Sequence, residues 1–205
     1  MKKTILCSLP MRSGSVANVF HSDDRSLPTS DLPMVYPVNS FLSCTLSESD
    51  IVHVILLAKD GQYSHCSENA ELFKNELDAA NQAIGAHIRY STVTTSFVQN
   101  DATHRQMLDS LVREIEPKSH LIADITFGPK DVPLIIFTAL TFAEQQLQCD
   151  VDNILYGKAD FMDGRAINTE LCDVSSLYYL SSISSTVQCN DPDKAKKMLT
   201  SLLSL

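Results

Sequence analysis

The chain is short of the residues and spacings on which most nucleotide and hydrolytic chemistry is built. Only six glycines occur in 205 residues, and none sits in the turn after the first apolar run, which reads Ser8-Leu9-Pro10-Met11. A dinucleotide pyrophosphate therefore has no Gly-x-Gly-x-x-Gly seat. A Walker lysine loop and a Gly-x-Ser-x-Gly elbow are equally absent, and no pair of histidines has metal-binding spacing. Asp150 and Asp152 flank an apolar run and read as solvated caps, so neither a metal nor a cofactor is expected. Positive charge is scarce: a net charge of −9 argues against a protein that coats long nucleic acid or an anionic membrane. Long apolar runs are missing too. Behind Lys2 and Lys3 there is only Ile5-Leu6-Cys7, too short for a secretory leader or a membrane span. The six cysteines show no close paired spacing and read as reduced packing residues of a cytoplasmic protein. With no internal repeat, low-complexity segment or linker, 205 residues at 44% hydrophobic content predict a single domain spanning 1–205.

What is present alternates between two periodicities. Thr4-Ile5-Leu6-Cys7 reads as a first strand, followed by a long polar loop from Met11 to Pro37 that is well placed to cover whatever lies at the strand's end. A short helix is expected from Val38 to Leu46, a second strand over Ile51–Leu57, and a helix from Ser67, as N-cap, to Ala83, closed by Gly85. His53, inside the second strand, reads as a packed histidine. His87–Val93 is a third strand. Asp101 then caps a helix that Pro117 stops. Leu121-Ile122-Ala123-Asp124-Ile125 is a short buried strand, and the apolar residues from Leu134 to Leu147 make a buried crossover helix leading to a strand at Val151–Tyr156. The order predicts an α/β fold: a doubly wound, mostly parallel sheet in a three-layer sandwich. The segment from 160 to 187 fits neither helix nor strand decisively. Asp191-Pro192 opens a last amphipathic helix.

In such a sheet ligands bind beyond the carboxyl ends of the strands. Two turns at that edge carry a lysine beside a glycine: Thr126-Phe127-Gly128-Pro129-Lys130, and Gly157-Lys158. The first turn of the chain brings Ser8, Leu9, Pro10, Met11, Arg12 and Ser13 to the same edge. Gly128 permits close approach, Lys130 supplies charge ahead of a helix N-terminus, and Ser8, Arg12 and Ser13 face from the other side, as a small anionic ligand requires.

The Asp124-x-Thr126-x-Gly128-x-Lys130 loop, the buried helix after it, the strand Asn153-Ile154-Leu155-Tyr156-Gly157 and a first strand ending in serine together resemble the CARF family, the CRISPR-associated Rossmann-like fold that binds cyclic oligoadenylate messengers. Pro129 departs from the family's pattern and withholds a backbone donor. The resemblance implies a homodimer that binds cyclic tetra- or hexa-adenylate across its two-fold axis. It further implies a metal-independent ring nuclease, in which a ribose 2′-hydroxyl attacks the adjacent phosphate to give a 2′,3′-cyclic phosphate, with Lys130 and Ser8 as catalytic residues. Two alternatives stand beside it: a non-hydrolytic sensor that regulates a partner protein, and an unrelated nucleotide-binding, flavodoxin-like enzyme.

Overall fold

A computed structural model describes every residue except Gly164 and Leu205. Cα packing divides the chain into two compact units, Met1–Asp173 and Val174–Leu205.

The first unit is the α/β body. Its elements are β1 (Lys2–Ser8), α1 (Pro37–Thr45), β2 (Ile51–Asp60), α2 (Cys66–Ile84), β3 (His87–Ser96), α3 (Asp101–Glu114), β4 (His120–Asp124), α4 (Asp131–Gln146), β5 (Asp150–Met162) and β6 (Arg165–Asp173). The sheet order is β3-β2-β1-β4-β5-β6. The first five strands are parallel, and β6 is antiparallel to β5. This is the doubly wound topology that the alternation of elements predicts, with its switch point between β1 and β4.

Burial explains which run became which strand. In β2 every residue except the two at its ends is buried, as befits a central strand covered on both faces. Val52, Val54, Leu56 and Ala58 join Ile5 and Cys7 in a core with Phe41 and Leu42 of α1 and Phe73 and Leu77 of α2. The alternate residues of β2 face α3 and α4, where His53 meets Glu114 and Lys59 meets Asp131. His53 is buried and bonded to Ser91, and burial lowers its pKa.

Two helix starts differ from the expected caps. Asn100, not Asp101, caps α3: its side-chain oxygen accepts from the Thr103 amide at 2.9 Å, leaving Asp101 in the first turn where its charge suits the dipole. Helix α2 begins one residue before Ser67, at Cys66. At its other end Gly85 adopts φ +82°, and its N–H bonds the Asn81 carbonyl, the left-handed stop that glycine makes without strain.

The long segment before α1 is a docked strap. Asn18 and Met34 form a bridge, and His21 bridges Glu170 of β6. Thr169 donates its hydroxyl to the Val19 carbonyl at 2.6 Å, and Phe20, Leu27 and Met34 are buried. Of the region undecided by sequence, residues 160–162 end β5 and 165–173 form β6. β5 leaves β4 at Leu155 and continues to Met162 paired with β6 alone.

The second unit holds α5 (Ser175–Thr186) and α6 (Pro192–Leu202). Asp191 caps α6 as its sequence predicts, accepting from the amides of Asp193 and Lys194. Among the described residues no helix is long and apolar enough to cross a membrane.

Candidate functional site

At the switch point the carboxyl ends of β1 and β4 lie side by side, Cys7 level with Asp124, and the chain leaves each strand by a turn. What fixes the β4 turn is Asp124. Its side chain is fully buried, one oxygen accepting from the Thr126 amide at 2.7 Å and the other from the Val38 amide in the first turn of α1 at 3.3 Å. Burial raises this carboxyl to about 6, against the pull of the Thr126 and Val38 donors. Cys7 lies beside it, its thiol pushed well up by burial and by the carboxylates of Asp124 and Glu76, so it is inert as a nucleophile. Glu76 of α2 accepts from the Val35 and Tyr36 amides and from the Asn39 side chain. The protein's own carboxylates thus fill the N-terminus of α1.

Each residue singled out by the sequence has a definite place. Ser8 is fully buried and donates its hydroxyl to the Phe127 carbonyl at 2.5 Å. Leu9 is core, its amide bonded to the Leu57 carbonyl. Pro10 and Arg12 present their carbonyls to the Asn69 side chain at 2.6 and 3.0 Å, and the Met11 carbonyl accepts from the His65 amide. Arg12 and Ser13 themselves are exposed. Thr126 accepts the Gly157 amide on its hydroxyl at 2.8 Å, joining the β4 turn to the middle of β5. Phe127 stands edge-on to Tyr36, 5.7 Å between centroids. Gly128 has φ +86°, with Ser8 Cβ 3.3 Å from where a Cβ would sit. Pro129 accepts from the Val132 amide and so begins α4. Lys130 is exposed at the N-cap of that helix, and among the described residues its ammonium has no hydrogen-bond or ion-pair partner.

No turn forms at Gly157-Lys158: β5 runs on through both residues to Met162, paired with β6. Lys158 sits opposite Glu170 on β6 and pairs with it at 3.1 Å. Gly157, by contrast, is pressed against Pro37 and Thr126 so closely that no side chain fits.

Beside the β4 turn, between the strap and the hairpin, lies a cavity of about 650 Å³. Phe127, Tyr156, Phe161 and Phe20 give it aromatic walls, with Ser15, Asn18, Thr126 and Thr169 as its polar groups. No charged side chain lines it among the described residues. Such a lining suits an uncharged, largely apolar group with a few polar contacts.

Several residues of the site escaped the sequence reading. Asn69 and Glu76 are two polar residues on the stripe of α2 that Phe73 and Leu77 define, and that spacing was a usable signal. Lys59, almost wholly buried, lies 2.9 Å from the carboxylate of Asp131, in an ion pair without the alignment of a hydrogen bond. Asp131 is next to Lys130 in the chain, and His104 stands 3.6 Å from the same carboxylate. Burial alone would raise the Asp131 carboxyl; the Lys59 ammonium, with the Gln99 side chain beside it, more than offsets this and holds it below the usual range.

No protein-family model matches the chain, and a search of curated proteins finds no relative.

Proposed function

We propose that the carboxyl edge of this sheet binds a cyclic oligoadenylate, with an adenine in the aromatic cavity and the phosphates outside it, toward Lys130 and Arg12. The observation that carries this reading is the division of labour at one edge: an uncharged cavity walled by Phe127, Tyr156 and Phe161, next to a turn whose lysine is exposed and unpaired among the described residues. A base stacks well on aromatic faces whatever its hydrogen-bonding edge, and a phosphate needs a cation and free amides at a helix start. A cyclic ligand of even symmetry would lie across the two-fold axis of a homodimer, with two copies of Lys130 around it.

Cleavage is a second reading, favoured by the Lys130 ammonium, which has no partner among the described residues. A 2′-hydroxyl turned in line attacks the neighbouring phosphate, the bond to the 5′-oxygen breaks and that oxygen takes the proton, leaving a 2′,3′-cyclic phosphate. Lys130 would stabilise the charge that builds on the phosphate. Ser8 in this conformation spends its hydroxyl proton on Phe127, so the orienting of the ribose falls to positioning by the crevice as a whole.

Incubation with cyclic tetra- and hexa-adenylate, followed by chromatography and equilibrium dialysis, tests both readings. Shortened products support the nuclease, retained intact ring supports a sensor, and the absence of both cleavage and retention would overturn the proposal.

A further inference from the structure

A lysine inside a protein is expensive unless something compensates its charge. Lys59 is 1% exposed, at the carboxyl end of β2, and its only charged partner among the described residues is Asp131, the first residue of α4. From the helix's side, an acid in the first turn suits the dipole. From the side of a turn that must receive phosphate, the same acid has the wrong sign, and it stands one residue from Lys130. A carboxylate there with no counter-charge would cancel the field of Lys130 at short range in a poorly screened place.

We infer that Lys59 is the buried counter-charge of the Lys130 turn, neutralising Asp131 so that the exposed lysine beside it acts as a net cation toward an anionic ligand. The inference rests on the reading of this edge as an oligoadenylate site. Lys59 lies on the α3 and α4 side of β2, beneath the start of α4, opposite Thr95 of β3. It touches no ligand and serves as a positioning and electrostatic residue. His104, at 3.6 Å and on the exposed side of Asp131, adds to the neutralisation only when protonated.

The test uses three variants of the full chain: Lys59→Met, Asp131→Asn and the two combined. Binding of cyclic tetra-adenylate is measured by calorimetry. Lys59→Met should weaken it about ten- to hundredfold, because a charge has been unmasked beside the binding lysine. The double variant, which removes both charges, should return to within about threefold of the parent, as charge cancellation requires and a purely structural role does not. Parent-like binding by Lys59→Met, or a double variant as weak as Lys59→Met, would overturn the inference. If Lys59→Met fails to fold, Asp131→Asn decides: with the carboxylate gone and Lys59 left uncancelled, it should bind several-fold more tightly than the parent, and binding no tighter would overturn the inference. Titration of the Asp131 carboxyl by ¹³C NMR reads the neutralisation without any ligand. Its midpoint should rise by more than about one unit in Lys59→Met, and an unmoved midpoint would overturn the inference. Should the parent bind neither cyclic ring, the reading of the site fails, and the titration alone judges the pair.

Discussion

Ser8 and Phe127 are joined by a 2.5 Å hydrogen bond in which the buried hydroxyl donates to a main-chain carbonyl. This bond locks the end of β1 to the turn after β4, the two segments that flank the switch point. The residue that sequence would place at the ligand therefore holds together the turn that presents Lys130. Ser8→Ala should leave the Phe127 carbonyl short of a partner and cost about 1–3 kcal/mol of stability. Urea unfolding checks this, and a variant as stable as the parent would show the bond to be dispensable.

Asp124 supplies a pH signature. Its folded pKa of about 6 lies above the ordinary 3.8, so the folded chain binds its proton more tightly than the unfolded chain does. Stability from this group accordingly rises as pH falls through about 6 and levels off near 4. Asp124→Asn lacks the titration. The stability of the parent relative to that variant should grow by about 1–3 kcal/mol between pH 8 and pH 5, measured by urea unfolding at each pH. A constant difference would contradict the buried, proton-binding carboxyl.

Asn69 governs the other turn. Its amide donates to both the Pro10 and Arg12 carbonyls, and the side chain is buried. Asn69→Ala should destabilise by about 1–3 kcal/mol and, with Arg12 no longer held, weaken oligoadenylate binding. Asn69→Asp keeps the shape but presents an acceptor to two carbonyls, and it should do no better. Rescue by the aspartate would show that packing, not donation, matters.

Gly157 has no room for a methyl group, because Pro37 and Thr126 occupy the space. Gly157→Ala must push the β5 strand away from Thr126 and break the bond between them. A loss of about 1–3 kcal/mol is expected, read as a lowered melting temperature. An unchanged melting temperature would mean that the α1 start yields easily.

The fold was legible because its strands are short apolar runs and its helices stop at Gly85 and before Pro117 and start at Pro192, signals that act locally. The β5–β6 hairpin was not, since Asp160 to Glu170 is a polar arm standing clear of β4, without the apolar alternation that a half-buried strand shows. At the candidate site, spacing pointed to the Asp124–Lys130 turn, whose glycine and lysine stand two residues apart. It could not tell which way a side chain faces: Ser8 and Lys130 look equally available on paper, yet one is fully buried and the other exposed. Lys59 and Asp131 are far apart in the chain and meet across β1, a juxtaposition set by strand order alone.

Whether Lys130 meets phosphate at this edge is tested by calorimetric titration of the parent and Lys130→Ala with cyclic tetra- and hexa-adenylate. The parent should bind at least one ring saturably. Lys130→Ala should bind that ring about ten- to hundredfold more weakly, the loss of one charge-assisted contact, while its melting temperature stays within about a degree or two of the parent's, because an exposed side chain with no partner adds little to stability. Equal affinities in the two proteins, or no saturable binding of either ring by the parent, would contradict the account.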